Sequence, residues 1–201
     1  MHSRLFFFCV GVSAILLSAS YSAAADLASA KRAYEQKDYV TAAKEYMALA
    51  EQGNEDAQLA IAKMFMMGEG VERDRDQALK WFKPLATLGN AEAQFYLGSM
   101  YLLPRKDLLE GMKWLRFSAS QGMQDAQYLL GKAYMQGADV IPRDRIQGGM
   151  WLRLAAHDND DFYRNELAAA EKQMSPGEIE KAKALAQEWK PVPRDNAKPR
   201  D

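Results

Sequence analysis

Residues 91–122 read AEAQFYLGSMYLLPRKDLLEGMKWLRFSASQG, and this stretch decides the fold. Its landmarks are Ala93-Gln94, Gly98, Tyr101, Asp107, Gly111, Trp114 and Gly122, and each returns on either side at a fixed offset. Asp38, Asp74, Asp107 and Asp144 are spaced 36, 33 and 37 residues apart. Four residues after each stands a small residue, Ala42, Ala78, Gly111 or Gly148. Seven after the last three comes Trp81, Trp114 or Trp151, with Glu45 in the first unit, and fifteen after each comes Gly53, Gly89, Gly122 or Asn159. A period in this range is the signature of a stacked helical repeat.

Each offset has a physical meaning. Aspartate at a helix start accepts a hydrogen bond from an unpaired backbone N–H and suits the positive end of the helix dipole. Glycine fifteen residues on supplies the left-handed residue that closes a helix of about four turns, and asparagine is its usual substitute. The small residue and the tryptophan, three apart, share one helical face, where the first lets a neighbouring helix approach and the indole fills the space beside it. A second helix is read before each later aspartate, opening at Ala57-Gln58, Ala93-Gln94 and Ala126-Gln127. Its own small positions are Ala62, Gly98 and Gly131, followed by Phe65, Tyr101 and Tyr134. Every unit is therefore expected to be helix, turn, helix, turn.

The pattern fades at both ends, as capping units do. One short helix, roughly Leu27 to Gln36, precedes Asp38, and another is read from Asp161 to Lys172. Ser175-Pro176-Gly177-Glu178 forms a capping box with proline at the first helical position and opens a last helix to about Trp189. From Pro191 the prolines and scattered charges predict a disordered tail, residues 191–201.

With these residues in place, the chain resembles the sel-one-like repeat proteins, relatives of the tetratricopeptide repeats. The likeness rests on Ala57-Gln58 through Phe65, Gly68-Glu69-Gly70-Val71, Asp74, Ala78, Trp81 and Gly89, and it recurs through Gly122 and again through Trp151. The first hairpin, with Ala33-Tyr34 and Asp38-Tyr39, is more similar to a plain tetratricopeptide unit. The third unit departs by lacking the Gly-x-Gly-Val turn, and the fourth has Gly148 and Asn159 at positions more often alanine and glycine. The resemblance implies an all-α, right-handed α/α superhelical solenoid of about four helix-turn-helix repeats that recruits partners. On this reading residues 26–53 are an N-terminal hairpin, 54–89, 90–122 and 123–159 the sel-one-like repeats, and 160–190 the capping helices.

The first 25 residues are expected to be a signal peptide: Arg4, an apolar run from Leu5 to Leu17, and Ala23-Ala24-Ala25 before a cut at Asp26. Thirteen residues at about 1.5 Å each reach about 20 Å, short of a hydrocarbon core of about 30 Å, so a retained anchor is the weaker reading. Cleavage would remove Cys9, the only cysteine, and leave 25 basic against 27 acidic residues. No disulfide can then form, no transmembrane segment remains, and nothing suggests the basic footprint of a nucleic-acid binder. A periplasmic or secreted monomer is expected.

The residue inventory argues against an enzyme. Beyond Cys9 there is no thiol, and His157 is the only histidine after the signal peptide, which disfavours thiol catalysis and multi-histidine metal sites. His157 sits near a helix end, where capping of unpaired carbonyls is the expected role. No serine has the Ser-x-x-Lys spacing of β-lactamases. The acidic clusters around Glu69–Asp76 and Asp158–Asp161 lack the alternating order of a Ca²⁺ loop. No catalytic residue, cofactor or metal is therefore assigned. Of the closely spaced Met64, Met66 and Met67, at least one should be exposed, since they cannot all share a face.

In tetratricopeptide-like solenoids the first helix of each pair lines the concave surface. By that analogy the partner-facing positions are Leu59, Phe95 and Tyr128, then Lys63, Ser99 and Lys132, then Met66, Leu102 and Met135. This mixture of apolar, aromatic and basic groups suits an extended, carboxylate-bearing peptide. The expected function is a non-catalytic interaction scaffold or adaptor in envelope signalling, surface assembly or toxin immunity. The alternative is a cell-wall or saccharide-binding protein or weak hydrolase.

Overall fold

The computed structural model describes residues 27–102, 107–138, 140–158 and 160–199; the expected signal peptide, the Pro104-Arg105-Lys106 turn and Asn159 lie outside these. The described residues form helices α1 (27–35), α2 (Tyr39–Glu51), α3 (Glu55–Met67), α4 (Arg75–Thr87), α5 (Ala91–Leu102), α6 (Leu108–Ser120), α7 (Gln124–Gln136), α8 (Arg145–Ala155), α9 (Asp161–Glu171) and α10 (Pro176–Glu188). A single 3-10 turn follows at Arg194–Asn196. The fold class is all-α, built of the helix-turn-helix repeats expected from the sequence. The chain divides into two compact units, one ending at Trp81 and the other starting at Phe82.

All four repeat aspartates cap helices as their spacing predicts. Asp38, Asp107 and Asp144 accept from the N–H of Thr41, Glu110 and Gln147, and Asp74 accepts from Asp76 and Gln77, at 2.9–3.2 Å. Their backbone N–H groups do a second job that the pattern did not reveal. Asp74, Asp107 and Asp144 donate to the carbonyls of Phe65, Tyr101 and Tyr134 at 3.0, 3.4 and 2.9 Å, and Asp38 donates to Ala33 at 2.9 Å. One residue thus starts a helix and ties it to the helix before.

The repeat glutamines make the reciprocal tie. Gln58, Gln94 and Gln127 donate from Nε2 to the carbonyls of Ala50, Ala86 and Ala119 at 3.1, 3.0 and 3.2 Å, each at the end of the preceding helix. Those carbonyls belong to the last turn, where the helix itself leaves acceptors unpaired. Gln94 and Gln127 are buried, so the bond also pairs amide donors that would be costly to bury alone. Gly53, Gly89 and Gly122 end α2, α4 and α6 with positive φ, as expected.

In the first unit Ala42, Ala43, Tyr46, Ile61 and Met64 build the core, with Trp81 partly buried against it. Of the neighbouring methionines, Met64 is buried and Met67 is exposed. The core of the second unit runs through Leu115, Leu130, Trp151 and Leu152, and Trp114 is buried too. The tryptophans are therefore interhelical packing groups, as their register with the small residues predicts.

Where the first helix of a pair has glycine, so does the second, and the backbones approach closely. A Cβ at Gly98 would lie 3.0 Å from Gly111 O, and one at Gly131 would lie 3.0 Å from Gly148 O and 2.7 Å from Leu152 Cγ. The helices α5 and α6, and α7 and α8, have no room for alanine there.

The chain end corrects one expectation. Residues 191–199 are not a disordered tail in this structure but pack on the second unit. Val192 N–H donates to Ser120 O at 2.7 Å, and Ala197 is 1% exposed. A buried glutamine and unpaired carbonyls at helix ends give the segment backbone partners that its composition could not reveal. The last helix does open on the expected capping box, with Ser175 and Glu178 exchanging bonds and Pro176 first in the helix.

The close crossing predicts a reversal of sign. Glycine to alanine inside a helix normally stabilises by about 1 kcal/mol. Gly131→Ala should instead destabilise by about 1–3 kcal/mol, the cost of overpacking a core. Urea unfolding followed by circular dichroism checks it, and an unchanged or raised midpoint would contradict the packing.

Candidate protein-interaction surface

The nine positions expected to face a partner lie on α3, α5 and α7, and the structure sorts them into distinct environments. Leu59 and Lys63 line a cavity of about 330 Å³ in the first unit, together with Lys31, Tyr34, Tyr46 and Asp56. The cavity lies where α1, α2 and α3 meet, because Asp38 and Gln58 hold these helices in register. Two ammonium groups against one carboxylate leave its lining net positive. Met66, one turn further along α3, is half-buried.

Tyr34 is the polar anchor of this region. Its hydroxyl donates to Glu69 Oε2 at 2.7 Å, which links α1 to the turn after α3. That bond to a carboxylate, aided by burial and the negative charge of Glu69, pushes the phenol up to about 12. Tyr46 is raised chiefly by burial and then by the charges of Glu35 and Asp56.

Phe95 and Ser99 on α5 are half-buried. Phe95 packs against the core of the second unit with its ring 5.2 Å from Tyr96, and Ser99 Oγ is buried without a hydrogen-bond partner among the described residues. Met135 is a correction, whereas Leu102 is half-buried. Leu102 covers Gly111 and Met135 covers Gly148, and Met135 is only 5% exposed. The physical reason is helical register: a residue four after Gly98 or Gly131 lies on the same face as that glycine. Since the glycine faces the paired helix, so does its neighbour one turn on.

Tyr128 and Lys132 on α7 are covered by α9. Lys132 Nζ donates to Glu166 Oε2 at 2.7 Å and Tyr128 OH donates to the same oxygen at 3.2 Å. The ring of Tyr128 meets the edges of Phe162 and Tyr163 at 5.2 and 5.7 Å. The bond to Lys132 lowers the Glu166 carboxyl and the bond to Glu166 raises the Lys132 ammonium, while burial raises Tyr128. Tyr163 OH bonds Asp125 and is also raised, burial being the largest cause. The register missed this cover because α9 itself has only a faint version of the repeat. A smaller polar cavity of about 310 Å³ lies beside it, with Lys132, Gln136, Arg143, Glu166 and Gln173 among its walls.

His157 Nδ1 lies 3.0 Å from Leu154 O, the helix-end contact expected of it. Among the described residues no group of three or more His, Cys, Asp or Glu could hold a metal ion. No described helix is long and apolar enough to cross a membrane.

The family model of the Sel1 repeat matches residues 55–90, 91–123 and 124–160. Among solved structures, one similar chain is a protective antigen with an SLR fold present in uropathogenic Escherichia coli strains. It is 32% identical with a TM-score of 0.64, over 73% of this chain and 32% of that one. A Sel1 repeat protein from Oxalobacter formigenes is 27% identical with a TM-score of 0.65, over 75% of this chain and 62% of that one. The chain thus spans about a third and under two thirds of these proteins. No curated protein matches it.

The Tyr34–Glu69 bond predicts a pH dependence. A phenol raised in the folded state stabilises fully below its unfolded pKa of about 10 and loses that contribution as pH rises through about 12. Ultraviolet titration of the phenolates should show several tyrosines ionising late, and Glu69→Gln should move one of them, Tyr34, back toward the ordinary range.

Proposed function

Because the chain belongs to the Sel1 repeat family, whose members are generally protein-interaction scaffolds, we propose that it holds an extended, carboxylate-bearing polypeptide on the α3 side of its first unit. The observation that carries this reading is the cavity formed by Leu59, Lys63, Lys31 and Tyr34. An apolar wall beside two ammonium groups suits a peptide with a hydrophobic side chain next to an acidic one or a free C-terminus. The second unit supplies an internal precedent for the chemistry. There Lys132 and Tyr128 together grip the carboxylate of Glu166, and aromatic rings pack alongside. At the same register on α3 stand Leu59 and Lys63, which line the first unit's cavity.

The role is non-catalytic, and the absence of thiols and of multiple histidines after residue 25 supports that reading. We place the protein in the periplasm or outside the cell on the strength of Arg4, the Leu5–Leu17 run and the alanines before Asp26. Within that compartment an adaptor in envelope signalling, surface assembly or toxin immunity fits.

Affinity capture from the native envelope with the full chain and the Leu59→Ala/Lys63→Glu variant tests the surface. Loss of a desolvated anchor and reversal of a charge should lower recovery of a bound polypeptide by about tenfold or more. Tyr128→Ala, which alters a position already covered by α9, should leave recovery unchanged. The opposite pattern, or equal recovery with all chains, would overturn the assignment. N-terminal sequencing of the envelope protein should find Asp26 first.

A further inference from the structure

The C-terminal segment is seated on the second unit as a peptide sits on a receptor. From Lys190 onward it has left α10 and runs as an exposed chain with prolines at 191, 193 and 199. It is held at separate points. Val192 N–H donates to Ser120 O at 2.7 Å, Arg194 Nε to Leu88 O at 3.2 Å, and Gln94 Nε2 to Ala197 O at 2.6 Å. The methyl group of Ala197 is enclosed, while Pro193, Asp195 and Asn196 between the anchors are exposed.

The seat is made by the repeat itself. Leu88 directly follows α4 and Ser120 ends α6, where helices leave acceptor carbonyls unpaired and the dipole favours a cation. Gln94 supplies the donor. Like Gln58 and Gln127 it spends one N–H on the carbonyl eight residues back, and its oxygen accepts from Gln121 Nε2 at 2.8 Å. Its second N–H points at the segment. The side chain is 0% exposed, so without an acceptor there a buried donor would stand unpaired. Gly89 completes the seat: a Cβ there would lie 2.5 Å from Arg194 O, so the segment's backbone lies against the bare turn.

We propose that this seat is a peptide-binding site, distinct from the α3 surface, that the protein's own C-terminal segment fills in cis and an extended peptide of the same pattern fills in trans. The pattern is read from the anchors: a backbone donor, a basic side chain two residues on, and an alanine-sized residue three further. Two of the three bonds go through the segment's backbone, so recognition needs little of this particular sequence. The contacts are few, and the segment keeps its place because its tether to α10 gives it a high effective concentration. Such a site exposes the Gln94 donor and the carbonyls of Leu88 and Ser120 only when the tethered segment lifts off.

The test uses a labelled peptide spanning Trp189–Pro199 and the full chain in two forms, wild type and Val192→Pro/Arg194→Ala. Proline at 192 removes the N–H given to Ser120, and alanine at 194 removes the contact to Leu88; neither change touches the seat. Fluorescence anisotropy should show the peptide binding the variant about tenfold or more tighter than the wild type, since a tether in the millimolar range competes with a mid-micromolar peptide. The same peptide carrying Ala197→Asp should bind neither form. Equal binding to both proteins, or equal binding of both peptides, overturns the proposal. So does loss of helical circular dichroism in the variant, because the segment is then a brace without which the unit does not fold. None of these outcomes bears on the α3 surface, which lies in the other unit.

Discussion

The structure depends on one residue type used twice over. At every junction between a first and a second helix, an aspartate caps the new helix with its carboxylate and ties it to the old one with its N–H. A cap alone would start a helix in any direction. Adding a backbone bond to the carbonyl of Phe65, Tyr101 or Tyr134 fixes where the new helix begins relative to the aromatic side chain before it. Turn length can then vary freely. The turn before Asp74 includes the left-handed Gly68 and Gly70, while the one before Asp144 is closed by the Ala138–Ile141 pairing, yet both arrive at the same bond.

The glutamine after each buried alanine completes the frame from the other side. It binds the last carbonyls of the preceding helix, so adjacent repeats are joined by a side-chain bond where the aspartate joins helices within a repeat. Between these two ties the cores fill with Ala57, Ala93 and Ala126 and the larger groups around them. A helical repeat buries too little in one hairpin to stand alone, and the register imposed by the ties lets neighbours share a core. The same polar groups that hold the frame also create its docking features: Gln94 holds α4's end and receives the C-terminal segment.

The first-helix surface shows how a repeat with one register produces unlike sites. Leu59 and Lys63 line a cavity, whereas the equivalent Tyr128 and Lys132 are engaged by Glu166, Phe162 and Tyr163 of α9. Leu102 and Met135 pack over glycines of the paired helices, and Met135 is buried there. Position in the repeat sets which side chains lie near one another; the neighbouring element sets which of them remain accessible.

The sequence alone determined the helices and their order, because capping and periodicity act over a few residues and leave their marks at fixed offsets. Asp38, Asp74, Asp107 and Asp144, the closing glycines and the Ser175–Glu178 box are all of this local kind. The resemblance to Sel1 repeats rests on residues at the same spacing, and the family match carries the membership. What the sequence could not determine was decided by contacts distant along the chain. Gln94 and Ala197 are 103 residues apart, and nothing in a charged, proline-containing tail announces that one alanine will be enclosed. Tyr128 and Glu166 are likewise 38 apart. Tertiary structure settled these points because burial and exposure belong to pairs of elements, and a periodic pattern describes each element only by itself.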